Sequence, residues 1–510
     1  MSQVGKIERI TQNRVVALFR DELGYRYLGN WEEREGNSNM ETSMLGAFLE
    51  KSGYSENQIS RALEKLRKEA TNSSRTLYAN NRAVYTLLKY GVPIDGGAGE
   101  KDLTVWLIDW NQPERNDFAI AEEVTLSGGL ERRPDIVLYI NGLAIGVLEL
   151  KRSTKGIGEG IRQAISNQRE EFNQWFYSTI QYVMAGNDSD GLTYGAICTP
   201  EKYWLKWKED EEDNSRFKLD KYLLKLFDKN RILDLIHNFV VFDAGVKKLP
   251  RPHQYFGVKL AQERIKGKEG GIIWHTQGSG KSLVMVLLAQ WILKTNPNGR
   301  VCIITDRDEL DKQIKDVFEA TGQSIYRTRS GADLMTQLAG RRERILCSLL
   351  HKFGQRGVKD YDAFIEEIKS RPRQVQGDIY VFVDEAHRTQ SGKLNKAMKA
   401  LLPGSIFIGF TGTPLLRQDK QTTMEVFGSY IHTYKFDEAV KDGVVLDLAY
   451  EARDIDQQVG NQEKIDLWFE KKDEGSERMA KRGAQEQMGH NAKRPQFPIS
   501  YGSSSRGHHL

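Results

Sequence analysis

The chain has 510 residues, a length that suits about two to four domains. Hydrophobic residues make up 39% and charged residues 28%, which supplies material for packed cores and excludes disorder throughout. The 74 Lys and Arg against 70 Asp and Glu leave a net charge of +4, too mild to select nucleic acid, membrane or neutral partners, so a polyanion would have to be met by local patches.

The N-terminus is polar from Gln3 and lacks the apolar core of a signal peptide. No apolar run reaches the roughly 18–20 residues of a membrane span. Residues 1–95 read as mainly helical, with apolar residues at helical spacing over Asn57–Ala70 and Arg82–Tyr90. Asn72-Ser73-Ser74 and Gly96-Gly97-Ala98-Gly99 mark loops. From Thr104 the pattern becomes β-rich: Val105–Ile108, Ile120–Leu126, Ile136–Ile140 and Leu143–Leu150. A helix over Gly160–Trp175 and strands at Ile180–Met184 and Thr193–Cys198 complete this unit. Lys247-Lys248-Leu249-Pro250-Arg251-Pro252 reads as a basic linker.

Beyond it, apolar runs at Gly271–Trp274, Val301–Thr305, Ile345–Leu350, Ile379–Val383 and Ser405–Phe410 alternate with helical stretches. Buried runs separated by helices predict a parallel sheet covered on both faces. From Lys471 the apolar periodicity is lost, and a disordered tail is expected. Cys198, Cys302 and Cys347 form neither a disulfide framework nor a zinc spacing, which predicts buried or neutral thiols in a reducing, cytoplasmic setting.

Two constellations carry chemistry. His275-Thr276-Gln277-Gly278-Ser279-Gly280-Lys281-Ser282 lies between a predicted strand and a predicted helix, as a phosphate-binding loop requires. The backbone of Gly278, Ser279 and Gly280 would close around phosphates, Lys281 would reach them, and Ser282 would ligate Mg²⁺. His275 stands where the strict pattern has glycine. Asp384 and Glu385 follow the strand Ile379–Val383, where open α/β sheets bind ligands. Asp384 would hold Mg²⁺ through water and Glu385 would polarise the water that attacks the γ-phosphate.

The second constellation is Arg133-Pro134-Asp135-Ile136 with Glu149-Leu150-Lys151, on two apolar runs joined by Asn141-Gly142. Asp135 and Glu149 can share a Mg²⁺ that activates water, while Lys151, two residues on from Glu149, orients the nucleophile. Solvent-facing charges on a strand edge are the ordinary alternative. Parity adds a condition. A strict two-residue turn pairs Ile140 with Leu143 and puts Asp135 and Glu149 on opposite faces. One extra residue is needed, in a longer turn at Gly142 or a bulge at Gly146.

Arg251-Pro252-His253-Gln254, the phosphate loop, Asp384-Glu385-Ala386-His387 and Phe410-Thr411-Gly412-Thr413-Pro414 together resemble superfamily 2 helicases and translocases. The resemblance implies that Gln254 reads adenine and that Thr411 and Thr413 couple nucleotide to DNA. Asn116-Asp117-Phe118, Arg133–Val137 and Leu148–Lys151 resemble the PD-(D/E)xK nuclease domain of the restriction (HsdR) subunit of type I restriction–modification enzymes. Thr11-Gln12-Asn13-Arg14, Leu23–Gly29 and Trp274-His275 fit the same family.

What the resemblance implies is an α/β chain with a helical region and PD-(D/E)xK nuclease domain over 1–245, a RecA-like P-loop lobe over 250–450 and a stub with tail over 451–510. It implies ATP and Mg²⁺ as cofactors, double-stranded DNA as substrate, and methylation and specificity subunits as partners. Other readings are a repair helicase with a degenerate nuclease domain, or a nucleotide-dependent scaffold. Gln168 is followed four residues later by Phe172 where such nucleases often carry tyrosine. After Pro414 no second lobe with its late arginine is read, which predicts weak nucleotide turnover and no translocation by these 510 residues.

Overall fold

The computed structural model describes residues 3–95, 102–153, 155–209, 212–305, 324–329, 331–349, 375–384, 402–413 and 427–447, with a few isolated positions between them. Glu385, Pro414 and the tail from Lys471 lie outside the described residues.

The N-terminal region forms α1 (Gln3–Ala17), a first edge strand β1 (Arg26–Asn30), α2 (Thr42–Lys51), α3 (Glu56–Ala70) and α4 (Leu77–Tyr90). α3 starts where Ser55 and Gln58 close a capping box, and α4 where the Thr76 hydroxyl accepts from Ala79 N. A two-stranded hairpin, β2 (Val92–Ile94) with β3 (Leu103–Val105), follows. Next come β4 (Phe118–Glu122), β5 (Ile136–Ile140), β6 (Leu143–Leu150), α5 (Gly158–Ser166), β7 (Tyr182–Asn187), β8 (Gly191–Gly195) and β9 (Leu205–Lys206). They join β1 in a seven-stranded mixed sheet of order β1-β4-β5-β6-β7-β8-β9.

Both faces of this sheet are covered, which is why its strands read as unbroken apolar runs. Ile136, Leu138 and Ile140 point into the core built with α2–α4, while Val137 and Tyr139 point to a second cluster with Ala164, Phe176 and Tyr177. Three predicted boundaries move. The run Ile120–Leu126 is strand only to Glu122, because Glu123 takes φ 50° and turns the chain. Val105–Ile108 contributes only Val105 to a strand. The helix expected over Gly160–Trp175 ends at Ser166, where Gln168 folds its amide back onto Ala164 O and the Cys198 N–H.

α6 (Lys218–Leu226), α7 (Lys229–Phe239) and the hairpin β10 (Val241–Asp243) with β11 (Val246–Lys248) lead to the second sheet. The expected linker is not a solvated tether: Lys247 is buried and donates to Asn81 Oδ1, Ile180 O and Gln181 Oε1. After α8 (Pro252–Lys266) come β12 (Gly271–His275), α9 (Lys281–Thr295), β13 (Gly299–Thr305), β14 (Tyr326–Arg327), β15 (Ile345–Leu349), β16 (Asp378–Val383), β17 (Ile406–Thr411) and β18 (Tyr430–Tyr434). Every neighbouring pair in this sheet is parallel, in the order β14-β15-β13-β16-β17-β12-β18. The chain is thus α/β, and residues up to Leu446 form one compact unit. Cys302 and Cys347 are buried in the second sheet, Cys198 is exposed, and all three are free thiols. No helix among the described residues is long and apolar enough to cross a membrane.

Candidate active sites

The β5–β6 hairpin carries the irregularity that parity demands. Ile140 pairs with Leu143 across the Asn141-Gly142 turn, yet Leu138 pairs with Gly146 and Tyr139 with Ala144, which leaves Ile145 as the extra residue of a bulge. Beyond it Val137 pairs with Val147 and Ile136 with Leu148, so the next step sets Asp135 opposite Glu149. Asn141 (φ 52°) and Gly142 (φ 81°) supply the left-handed turn.

Asp135 Oδ2 accepts from Leu150 N at 2.5 Å, which ties the loop before β5 to the end of β6. Glu149 is fully buried, with Oε2 accepting from Gln163 Nε2 at 2.7 Å and Oε1 from Asn167 Nδ2 at 3.0 Å. Burial, and then the Asp135 carboxylate, push Glu149 well above the usual carboxylate range, while Lys151 pulls it down. Lys151 is half-buried at the same end of β6 and donates to Leu150 O at 2.9 Å. The helix that brings the amides can approach because Gly160 has no side chain: a Cβ there would sit 3.3 Å from Lys151 Cγ and 3.2 Å from Ala185 Cβ.

Sequence reasoning missed three neighbours of this site. Two are Gln163 and Asn167, which hold the Glu149 carboxylate; Gln168, where the family pattern departs at Phe172, serves the Cys198 loop, and Phe172 lies under the Arg132 guanidinium at 3.8 Å. Gly160 and Gln163 of α5 and Asn167 just after its end recur at three- and four-residue spacing, the signal that could have found them. The third is Glu123, whose charge also raises Glu149 and which accepts from Gln12 Nε2 at 2.9 Å.

A buried and a half-buried carboxylate set side by side suit a hard divalent cation such as Mg²⁺, which would relieve their repulsion. Among the described residues no group of three or more His, Cys, Asp or Glu surrounds one point, so a cation here would rest on the Asp135–Glu149 pair and water.

In the second sheet β12 ends in the loop Thr276–Gly280, and α9 begins at Lys281. Gly278 (φ 82°) and Gly280 (φ 89°) take the left-handed conformations that a loop folded around an anion needs. Lys281 Nζ lies 3.3 Å from His275 O, and a Cβ on Gly412 would come within 3.0 Å of that ammonium. Lys281 and Ser282 are half-buried, Ser279 is buried, and Ser279 Oγ donates to Thr276 O at 2.6 Å. Asp384 is buried at the end of β16, and Thr411 ends β17, between β16 and the phosphate-loop strand. Thr411 Oγ1 donates to Thr413 O at 3.1 Å. The parallel order brings these C-terminal strand ends to one edge, where ligands of open α/β sheets bind.

Gln254 is turned onto this loop. Its Oε1 accepts from Arg251 N at 2.9 Å, and its Nε2 donates to Gly280 O at 3.2 Å and Ser279 O at 3.3 Å. His253 Nε2 lies 3.0 Å from the same Ser279 O, and its ring stacks on Tyr434 at 3.8 Å. His275, in the place of the motif's first glycine, is buried with Nε2 2.8 Å from His432 Nδ1. A Cβ on Gly257 would come within 3.0 Å of the His275 ring, so glycine on α8 makes room for the imidazole.

Residues 7–202 match the family described as type I restriction enzyme R protein N terminus, and residues 253–482 match the SWI2/SNF2 ATPase family. These two modules in this order define the class: an R-protein N-terminal region joined to a SWI2/SNF2-type ATPase lobe. The endonuclease subunit of the HindI type I restriction enzyme of Haemophilus influenzae is 30% identical over 442 residues, 77% of this chain and 41% of that one. The MjaIXP endonuclease subunit of Methanocaldococcus jannaschii is 29% identical over 438 residues, 78% of this chain and 40% of its own. Over residues 7–202 the chain is similar to type I restriction enzyme R proteins, and it spans about 40% of the length of these relatives.

Proposed function

We propose that the chain supplies the nuclease domain and first motor lobe of an ATP-dependent type I restriction endonuclease, with residues 1–245 cutting DNA and residues 250–450 binding ATP. The observation that carries this reading is the Ile145 bulge, which sets Asp135 opposite Glu149 at the end of β6 where Lys151 also lies. In the cutting site Asp135 and Glu149 would hold Mg²⁺, which when bound activates water and steadies charge on the phosphorus. Gln163 and Asn167 fix the Glu149 carboxylate, and the Lys151 ammonium orients the nucleophile.

In the motor lobe the N–H groups of Gly278, Ser279 and Gly280 at the start of α9 would receive phosphates with Lys281. Ser282 and Asp384 would hold the nucleotide's Mg²⁺, Glu385 would polarise the attacking water, and Gln254 would read adenine once released from the loop. Thr411 and Thr413 would pass the nucleotide state to DNA. Double-stranded DNA is the substrate on this reading, a methylation subunit and a specificity subunit are the partners, and the cytoplasm is the compartment.

The test is plasmid nicking by the chain assembled with those two subunits, in Mg²⁺ and ATP. Asp135→Ala should abolish nicking and leave ATP hydrolysis close to that of the parent. Nicking by Asp135→Ala at the parent rate would refute the nuclease assignment.

A further inference from the structure

A cavity of about 860 Å³ opens where α4, α7 and α9 bring their C-terminal ends together. That volume lies in the range of pockets that hold small ligands, about 300–1,000 Å³. None of Asp135, Glu149, Lys151 or the phosphate-loop residues lines it. Its basic residues are Arg82, Lys89, Arg115 and Lys294, and the one carboxylate in the wall is Asp109. Asp109 is already engaged, with Oδ1 accepting from Asn111 N and Gln112 N and Oδ2 3.6 Å from Arg115.

Helix C-termini attract cations, which accounts for Lys89 on α4 and Lys294 on α9. It does not account for the two arginines, nor for how Lys89 is kept. The Lys89 ammonium lies over two ring faces, Tyr85 at 5.6 Å and Tyr90 at 5.7 Å, and near the Lys294 ammonium, which repels it. Burial, and then the Lys294 charge, bring it down to about 8, so it remains a cation at neutral pH without an anion to answer it. His237 is pushed down to about 3, chiefly by burial, and lies as a neutral ring on Trp110 at 4.4 Å. The rings are the second observation: Trp106 is 43% and Tyr90 63% exposed at this cavity, and Trp291 is half-buried in its wall.

Flat rings beside cations are the means by which proteins hold bases and their phosphates without reading sequence. We propose that this cavity binds a nucleoside phosphate unit, its base stacked on the tryptophan rings and its phosphate on Lys89 and Lys294. The unit can come from a free nucleotide or from a single strand of DNA; both present the same chemistry.

The test uses the whole chain in the Lys281→Ala background, without divalent metal, so that neither phosphate loop nor cleavage contributes. A labelled thymidine strand within the site sizes of about 4–16 nucleotides known for such surfaces is titrated by fluorescence anisotropy, and dTMP is tested as competitor. The strand should bind in a salt-dependent way, and Lys89→Met, Lys294→Gln and Trp106→Ala should each weaken it about tenfold, as loss of one phosphate or stacking contact does. Lys294 and Trp106 are exposed, so these two variants carry the test if Lys89→Met fails to fold. Lys206→Gln, at an exposed lysine on β9, is the charge control and should leave binding unchanged. Competition by dTMP would make a free nucleotide the ligand, and its absence the strand. Failure of the parent to bind, or equal binding by all three variants, would overturn the proposal.

Discussion

Glu149 shows how much of a buried carboxylate's behaviour is set by its immediate neighbours. Burial and Asp135 oppose its charge, whereas Lys151 and the Asn167 amide favour it. Removing a donor from a buried charge costs on the order of 1.5–3 kcal/mol, and supports of metal ligands typically count for about 10–100-fold in metal affinity or activity. Gln163→Leu and Asn167→Leu should therefore raise the Mg²⁺ concentration that half-saturates nicking by about one to two orders of magnitude. A titration midpoint identical to the parent's would show that the amides do not serve the site. Asp135, Glu149 and Lys151 were legible because carboxylates and an ammonium interrupt otherwise apolar strands. The amides were not: Gln163 and Asn167 on an amphipathic helix look like surface residues, and motif spacing pointed to Gln168, which turns to Cys198 N instead.

Elements decide whether those side chains meet. The parity of the Asn141-Gly142 hairpin required one extra residue, and Ile145 is that residue. The parallel sheet was legible from its unbroken apolar runs, whereas the ends of β4 and α5 were not, because a left-handed Glu123 and the Gln168 contacts stop them. Gly160 sets how closely α5 lies on β6 and β7, so Gly160→Val should lift the helix and draw Gln163 and Asn167 from Glu149. Overpacking of this kind costs about 1–3 kcal/mol; nicking should be largely lost while ATP hydrolysis by the assembled enzyme persists. The element α8 makes a pH-dependent contribution through His253, which burial pushes down to about 4. An unfolded histidine takes its proton near pH 6.5, so the unfolded state gains protons first as pH falls. Stability should drop between about pH 6.5 and 4, by about 3 kcal/mol from this group. Denaturation across that range should show a shallower slope in His253→Phe, and an unchanged slope would exclude the assignment.

At the scale of the whole molecule the two sheets share one core. Leu138 and Ile140 of the first sheet belong to the same buried cluster as Ile303 of the second and Val258 and Leu287 of the helices α8 and α9 that cover it. Polar ties cross the same ground: Tyr194 Oη donates to Pro250 O at 2.7 Å, and Lys208 pairs with Asp442. Lys247 sits at this junction with its ammonium in a cage of three oxygens, which is why a stretch that reads as a tether behaves as a bolt. Lys247→Ala leaves Asn81 Oδ1 and Gln181 Oε1 buried without their donor, while Ile180 O keeps its bond from Asn81 Nδ2, a loss of about 1–3 kcal/mol for each unsatisfied group. If the core is one cooperative unit, that loss should lower a single melting transition reported alike by probes in either sheet. A nucleotide bound at the phosphate loop should raise the same transition by mass action and slow amide exchange in β5 and β6. Two separated transitions, with only the nucleotide-binding half responding to ligand, would show instead that the sheets unfold independently and that the shared core does not couple them.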